Sequence, residues 1–193
     1  LKTGVPDFFA FTLKMPEEKA RRLPVIIVTP FVDHTGNSQS LAKIATAYLR
    51  NSLFYSGKYA VMFEQDFEQY FPYPLTDKDT PAFKKVISKL KADYLLLPHI
   101  DWLAKRVGGF ILGSTAKLDG RIHIQLMDPD TGKILNEWES KKEENIATYL
   151  FKSTRALDKE TFYSNKKFLL LALIDDLWQP LTDFIKLNFT PPA

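Results

Sequence analysis

Three histidines, His34, His99 and His123, are the side chains best suited to chemistry near neutral pH, because imidazole titrates there without help from its surroundings. No two of them lie at helix-face or strand-face spacing, whereas a metal site needs two to four converging ligands. His99 and Asp101 are two residues apart and would share a strand face. They form the leading candidate for an acid–base or metal-binding pair, against the simpler reading of polar surface. Asp33-His34 follows a short apolar run, at the kind of strand end where open α/β sheets bind ligands, but the preferred expectation is a turn that caps the next helix. Asp175 and Asp176 are adjacent on a helix and point about 100° apart, which suits a solvated face better than shared acid–base work. Cysteine is absent, which removes disulfides, thiolate metal sites and cysteine nucleophiles together. There is no nucleophile elbow, phosphate-cradling loop or dinucleotide fingerprint. The segment Gly108-Gly109-Phe110-Ile111-Leu112-Gly113 has the wrong spacing and no adjacent lysine, and is expected to be a hairpin tip or bulge. The residues therefore show no obvious active site, and no cofactor or metal is expected.

The elements that would position these residues follow from patterning. Pro24 to Pro30 is a β-branched run, apolar on both faces, and predicts a strand covered on both sides. Leu41, Ile44, Ala45, Tyr48 and Leu49 form one helical stripe, and Gly57 suits a left-handed helix cap. Tyr59 to Phe63 predicts a second strand. Asp79-Thr80-Pro81 starts a helix whose stripe is Phe83, Val86, Ile87 and Leu90; its lysines Lys84, Lys85, Lys89 and Lys91 are expected to face solvent. Ala92 to Leu97 predicts a third strand, followed by a stretch that Gly108, Gly109 and Gly113 break. Strict alternation from Arg121 to Met127, the turn Asp128-Pro129-Asp130-Thr131-Gly132, and a return from Lys133 to Ser140 predict an antiparallel hairpin. A closing helix runs from about Asn165 to Ile185, with a kink expected at Pro180. The fold class is thus α/β (α+β): a mixed sheet with helices packed on it.

The 193 residues carry 26 basic and 23 acidic side chains. Residues 1–96 hold 13 and 10 of them, and residues 97–193 hold 13 of each. That balance gives little support to nucleic-acid binding, which relies on clustered Lys and Arg. The longest apolar run, Phe168 to Ile174, is far shorter than the ~20 residues that span a bilayer. The expected organisation is an arm over 1–23, a single domain over 24–187 and a tail over 188–193. Phe71-Pro72-Tyr73-Pro74-Leu75 stands outside any helix or strand pattern. Phe71, Tyr73 and Leu75 are the candidate partner-binding residues, with packing of the loop back onto the domain as the alternative.

Three segments in order resemble a family of bacterial envelope proteins with CsgG-like or TolB amino-terminal-like domains. They are Val25-Ile26-Ile27-Val28-Thr29-Pro30-Phe31-Val32-Asp33 with Tyr59 to Gln65, then Ala92 to Leu97, and then Ile124 to Leu135 with its Leu-x-Asp-x-x-Thr-Gly hairpin. The family includes the curli secretion lipoprotein, outer-membrane lipoprotein activators of penicillin-binding proteins, and small lipoproteins of unassigned role. The chain departs from it at Phe63-Glu64-Gln65, where no arginine follows the glutamate, and in the Phe71–Leu75 insertion. The resemblance implies an anticodon-binding-domain-like fold without catalysis. It implies a periplasmic location, an outer-membrane tether through a lipid upstream of Leu1, and an envelope protein as partner. The chain opens at Leu1, as a processed or trimmed fragment would. The alternatives are a secretion-pore subunit, a nucleic-acid-binding module and an enzyme of unrecognised type. A pore needs membrane hairpins of ~9–11 alternating residues per strand, and only Leu103 to Leu118 and Lys141 to Phe162 are free to supply them.

Overall fold

The computed structural model describes residues 23–35, 39–62, 92–110, 113–150 and 159–189. In chain order the elements are β1 (Val25–Val28), β2 (Val32–Asp33), α1 (Gln39–Tyr55), β3 (Ala60–Met62), β4 (Tyr94–Phe110), β5 (Gly113–Met127), β6 (Ile134–Leu150) and α2 (Lys159–Asn188). They form one mixed sheet in the order β3-β1-β4-β5-β6, with β2 pairing β4 off that path. The β1 strand is parallel to both β3 and β4, while β4, β5 and β6 form an antiparallel meander. This is the mixed α+β architecture that the patterning predicts.

Each early element has a visible cause. Ile26, Ile27 and Val28 have no exposed surface, as a central strand apolar on both faces requires. The α1 stripe of Leu41, Ala45 and Leu49 is buried against the sheet. Gly57 ends this helix region with φ +66°, a conformation that favours glycine. Thr46 sits on the buried side of α1, where its hydroxyl accepts a 2.9 Å bond from the Phe31 N–H and donates to the Ala42 carbonyl. Replacing Thr46 with valine keeps the shape and orphans a buried N–H. The expected loss is about 1–3 kcal/mol, read from urea unfolding; an unchanged midpoint would contradict this role.

The later strands are far longer than the pattern predicts. The β4 and β6 strands each run for 17 residues and β5 for 15. Gly108 and Gly109 do not break β4: they pair with Thr115 and Ser114 of β5. Likewise β6 continues past Ser140 through the charged stretch to Leu150. The closing helix is also longer, running from Lys159 to Asn188 and continuing through Pro180. It covers the inner face of the meander, with Leu169, Leu170, Leu173, Leu177 and Leu181 joining Leu103, Leu118, Ile122 and Ile124 in the core. At 30 residues α2 spans about 45 Å, which lets one helix cover most of the meander. Among the described residues no helix is long and apolar enough to cross a membrane.

The β5–β6 turn is built as its sequence predicts. Gly132 has φ +68° and its N–H bonds the Asp128 carbonyl. Asp128 Oδ1 accepts from the Asp130 N–H at 2.8 Å and from the Thr131 N–H at 3.3 Å. Desolvation pushes this carboxyl up, but the hydrogen bonds from Thr131 and Asp130 outweigh it and hold it below the usual carboxylate range. A depressed carboxylate stabilises above its unfolded value and loses that contribution as pH falls through the folded value. The melting temperature of Asp128→Ala should therefore lie below the parent's at about pH 7 and approach it below about pH 3. A gap that persists unchanged in acid would contradict the assignment.

Candidate functional site

The outer face of the meander carries the polar constellation. Side chains alternate along β5, so Ile122, Ile124 and Leu126 enter the core while Arg121, His123 and Gln125 point outward. The register sets His99 directly opposite His123. A bulge between Ile100 and Trp102 interrupts β4. It leaves Asp101 and Trp102 on one face, where Asp101 meets His123 and Arg121 while Trp102 lies against Arg121. The third histidine arrives from β2. His34 N–H bonds the Ile100 carbonyl at 3.1 Å, which brings its ring to His99.

The structure thus joins three histidines that sequence spacing keeps apart. His34 Nε2 lies 3.0 Å from His99 Nδ1, with the ring planes 2° apart and the centroids 5.3 Å apart. That centroid separation is what a 3.0 Å contact plus two ring radii gives, so the rings are nearly coplanar and meet edge to edge. His99 and His123 instead lie face to face, 4.4 Å apart with planes 8° apart. His123 Nδ1 is 2.8 Å from Asp101 Oδ1, which accepts the hydrogen bond from the ring N–H. Asp101 therefore bonds His123 across the ladder. Asp101 Oδ2 lies 3.3 Å from Arg121 Nε, close enough for attraction but out of hydrogen-bond alignment. Arg121 Nη2 in turn bonds Glu139 at 2.6 Å.

This arrangement suits proton sharing better than metal binding. Ligands of one ion need lone pairs that converge on a common point; the His34 and His99 nitrogens face each other along one line. Among the described residues no group of three His, Cys, Asp or Glu side chains could hold a metal ion.

Beyond the histidines the same face is laced by cross-strand ion pairs. Arg106 reaches Asp119 at 2.6 Å and Lys117 reaches Glu143 at 2.5 Å. Arg121 and Lys141 both lie over the Trp102 ring, at 5.0 and 5.6 Å from its centroid. Trp102 Nε1 and Asp119 Oδ1 are buried with no hydrogen-bond partner among the described residues. Such groups need water or some other contact on this face.

Asp175 and Asp176 are not the merely solvated pair that adjacency predicts. Asp175 Oδ1 accepts from the Tyr48 hydroxyl at 2.7 Å, which ties α2 to α1. That hydrogen bond, with burial and the carboxylate's charge behind it, pushes the Tyr48 hydroxyl pKa up. Asp176 accepts from Ser140 and from Lys142, which ties α2 to β6. Both acids have structural partners.

A cleft of about 640 Å³ opens at the other end of the molecule, lined by Leu23, Pro24, Tyr59, Ile185 and Phe189 with Lys58, Asp183 and Lys186 among its polar groups. Phe71, Tyr73 and Leu75 lie outside the described residues, as does the lysine-rich helix expected after Pro81.

No family model matches the sequence, and no curated protein matches it. Solved structures share the fold. A lipoprotein from Neisseria meningitidis, GNA1162, superposes with a TM-score of 0.52 at 13% identity, over 83% of this chain and 99% of that one. A hypothetical protein from Chlamydia trachomatis, CT253, gives 0.56 at 10% identity, over 86% and 100%. A Xanthomonas campestris protein of family DUF330, XCC0632, gives 0.50 at 11% identity, over 91% and 93%. At these identities the likeness concerns the fold alone: this chain shares its architecture with these three bacterial proteins.

Proposed function

We propose that this chain is a non-enzymatic domain of the bacterial cell envelope that acts by binding another envelope protein. In this reading a lipid on a cysteine upstream of Leu1 holds it at the outer membrane, on the periplasmic side. Residues 24–187 form the working domain, 1–23 are the arm that leads to the anchor, and 188–193 are a tail. Phe71, Tyr73 and Leu75 contribute to the contact with the partner. The observation that carries the reading is the fold likeness to a Neisseria lipoprotein over 99% of that chain. The hairpin at Asp128, Thr131 and Gly132 agrees with the resemblance seen in the sequence. Nothing in this reading calls for a cofactor or nucleic acid.

The secretion-pore reading receives a specific counter-observation. Among the described residues, β4 and β5 run through the first of the two stretches that a pore would need, and β6 through the second as far as Leu150, while Lys159 to Phe162 belong to α2. The inner face of these strands, however, is buried under α2 at Leu103, Ala116 and Leu118, and their outer face carries Arg106, Lys117, Asp119 and Glu143. A membrane hairpin needs one continuous apolar face toward lipid.

The test is to extract the full-length protein, with its own upstream sequence, from envelope membranes in mild detergent and to identify what copurifies. The expected result is a complex with one different envelope protein at near-equal amounts. A ring of identical copies would favour the pore, and a protein that elutes alone at every concentration would overturn the binding role.

A further inference from the structure

The strand β6 ends the sheet, and among the described residues it pairs only with β5. Its other edge presents a row of backbone donors and acceptors along a strand of 17 residues. Such an edge is a template for a further strand unless its side chains oppose one. The outward side chains of β6 are charged, and the order of their signs decides which strand they accept. Glu139, Lys141, Glu143 and Asn145 share the outer face with their β5 partners His123, Arg121, Asp119 and Lys117. Lys141 therefore stands opposite Arg121, and Glu143 opposite Asp119. Like charges placed directly opposite destabilise a ladder. A strand added at the free edge can set an opposite charge beside each.

A second copy of this chain supplies that strand. A two-fold axis perpendicular to the sheet lays β6 antiparallel to its own copy and keeps both outer faces on the same side. Centred on Lys142, the pairing sets Lys141 opposite Glu143 of the second copy, and Glu143 opposite the second copy's Lys141. Glu139 then meets Asn145, and the pairing stays within the regular stretch that ends at the bulge after Asn145. Neighbouring registers are worse. Centring on Lys141 or on Glu143 sets that residue against itself, and centring on Ser140 sets Glu143 against Glu137. At the Lys142 centre two ammonium groups oppose each other, but Asp176 holds each at 2.8 Å. The helix above agrees. Phe168, Ala172 and Asp176 lie on successive turns of one α2 face, and Lys142 reaches both the Ala172 carbonyl and Asp176. The Phe168 ring, 64% exposed, thus stands on the β6 side of α2, where a second copy would cover it.

We propose that the free edge of β6 joins two copies of this chain into one continuous sheet, antiparallel about Lys142 and selected by the Lys141–Glu143 pairs. The contact is isologous, so it closes at two copies. It is independent of the envelope-partner reading and stands or falls on its own test.

Sedimentation equilibrium of the full chain at low ionic strength, where surface charges are least screened, reads the association. The expected result is a reversible monomer–dimer equilibrium. Lys141→Glu and Glu143→Lys each make both symmetry-related pairs repulsive, and each should weaken dimerisation by about tenfold or more. Circular dichroism checks that both variants fold. Mixed in equal amounts, the two single variants should form a heterodimer, because each supplies the charges that the other lacks. The doubly substituted Lys141→Glu/Glu143→Lys chain reverses both signs together and should regain self-association to within about threefold of the parent. A parent chain that stays monomeric up to its solubility limit would overturn the proposal, and so would a larger assembly. A dimer that neither single substitution weakens would place the contact on another surface and overturn it too. So would single variants that fail to pair with each other in the mixture.

Discussion

Truncating Leu173 to alanine is expected to be the most damaging single substitution described here, costing about 2–5 kcal/mol of stability. Leu173 has no exposed surface and joins the middle of α2 to the meander. Its partner position on β5 is Gly120. A Cβ there would lie 3.0 Å from Leu173 Cδ1, 3.1 Å from Leu103 Cδ1 and 3.2 Å from Leu169 Cδ2. Glycine thus makes the room that three leucines fill, and Gly120→Ala alone should cost about 1–3 kcal/mol by crowding. The two changes are coupled through that one space. Once Leu173 is truncated, the nearest obstacle to the new methyl is gone, and the methyl refills part of the cavity. The double variant should therefore be more stable than the sum of the single losses predicts, by about 0.5 kcal/mol or more. Urea unfolding of the four proteins measures this. Strict additivity would mean that the α2–β5 contact is looser than the packing shows.

The second large effect concerns binding. The Phe71→Ala/Tyr73→Ala double variant should lose about 2 kcal/mol or more of affinity for the envelope partner, at least roughly thirtyfold in Kd. Two prolines restrict the backbone of Phe71-Pro72-Tyr73-Pro74, so in the proposed role this segment would forfeit less entropy on docking than an unrestricted one. The aromatic rings supply large apolar area at a place where no helix or strand pattern would bury them. The expected signature is lost binding with an unchanged melting temperature. A drop of several degrees in Tm, with binding intact in the folded fraction, would make the two rings part of the core instead.

Among the described residues, β1, α1 and the two glycine turns were legible because their signals are local. Pro24 to Pro30 is β-branched throughout, the α1 stripe keeps its period, and Gly57 and Gly132 stand where a positive φ is needed. The lengths of β4, β5 and β6 were not legible. Gly108 and Gly109 carry the local signal of a break, yet inside an antiparallel ladder their backbones pair as well as any other. Lys141 to Asn145 lack the apolar alternation of a strand because β6 lies at the end of the strand order and its outward side chains pair with charges on β5. The histidine corner was hidden for a different reason. His34 and His99 are 65 residues apart and meet only because β2 and β4 are parallel neighbours, while His99 meets His123 through antiparallel register. No spacing rule within one element can reveal a contact made by three. The one available signal was the placement of His123 on the polar face of a predicted strand. That places a histidine on the outer face without saying what stands across from it.

The attachment of the mature protein tests the central claim most directly. Mass spectrometry of the N-terminal peptide, on full-length protein recovered from fractionated cells, reads both its chemistry and its compartment. The account predicts a diacylglycerol-modified cysteine upstream of Leu1 on protein that sediments with the outer membrane. An unmodified chain that begins at a methionine without a signal peptide and remains in the cytosolic fraction would contradict it.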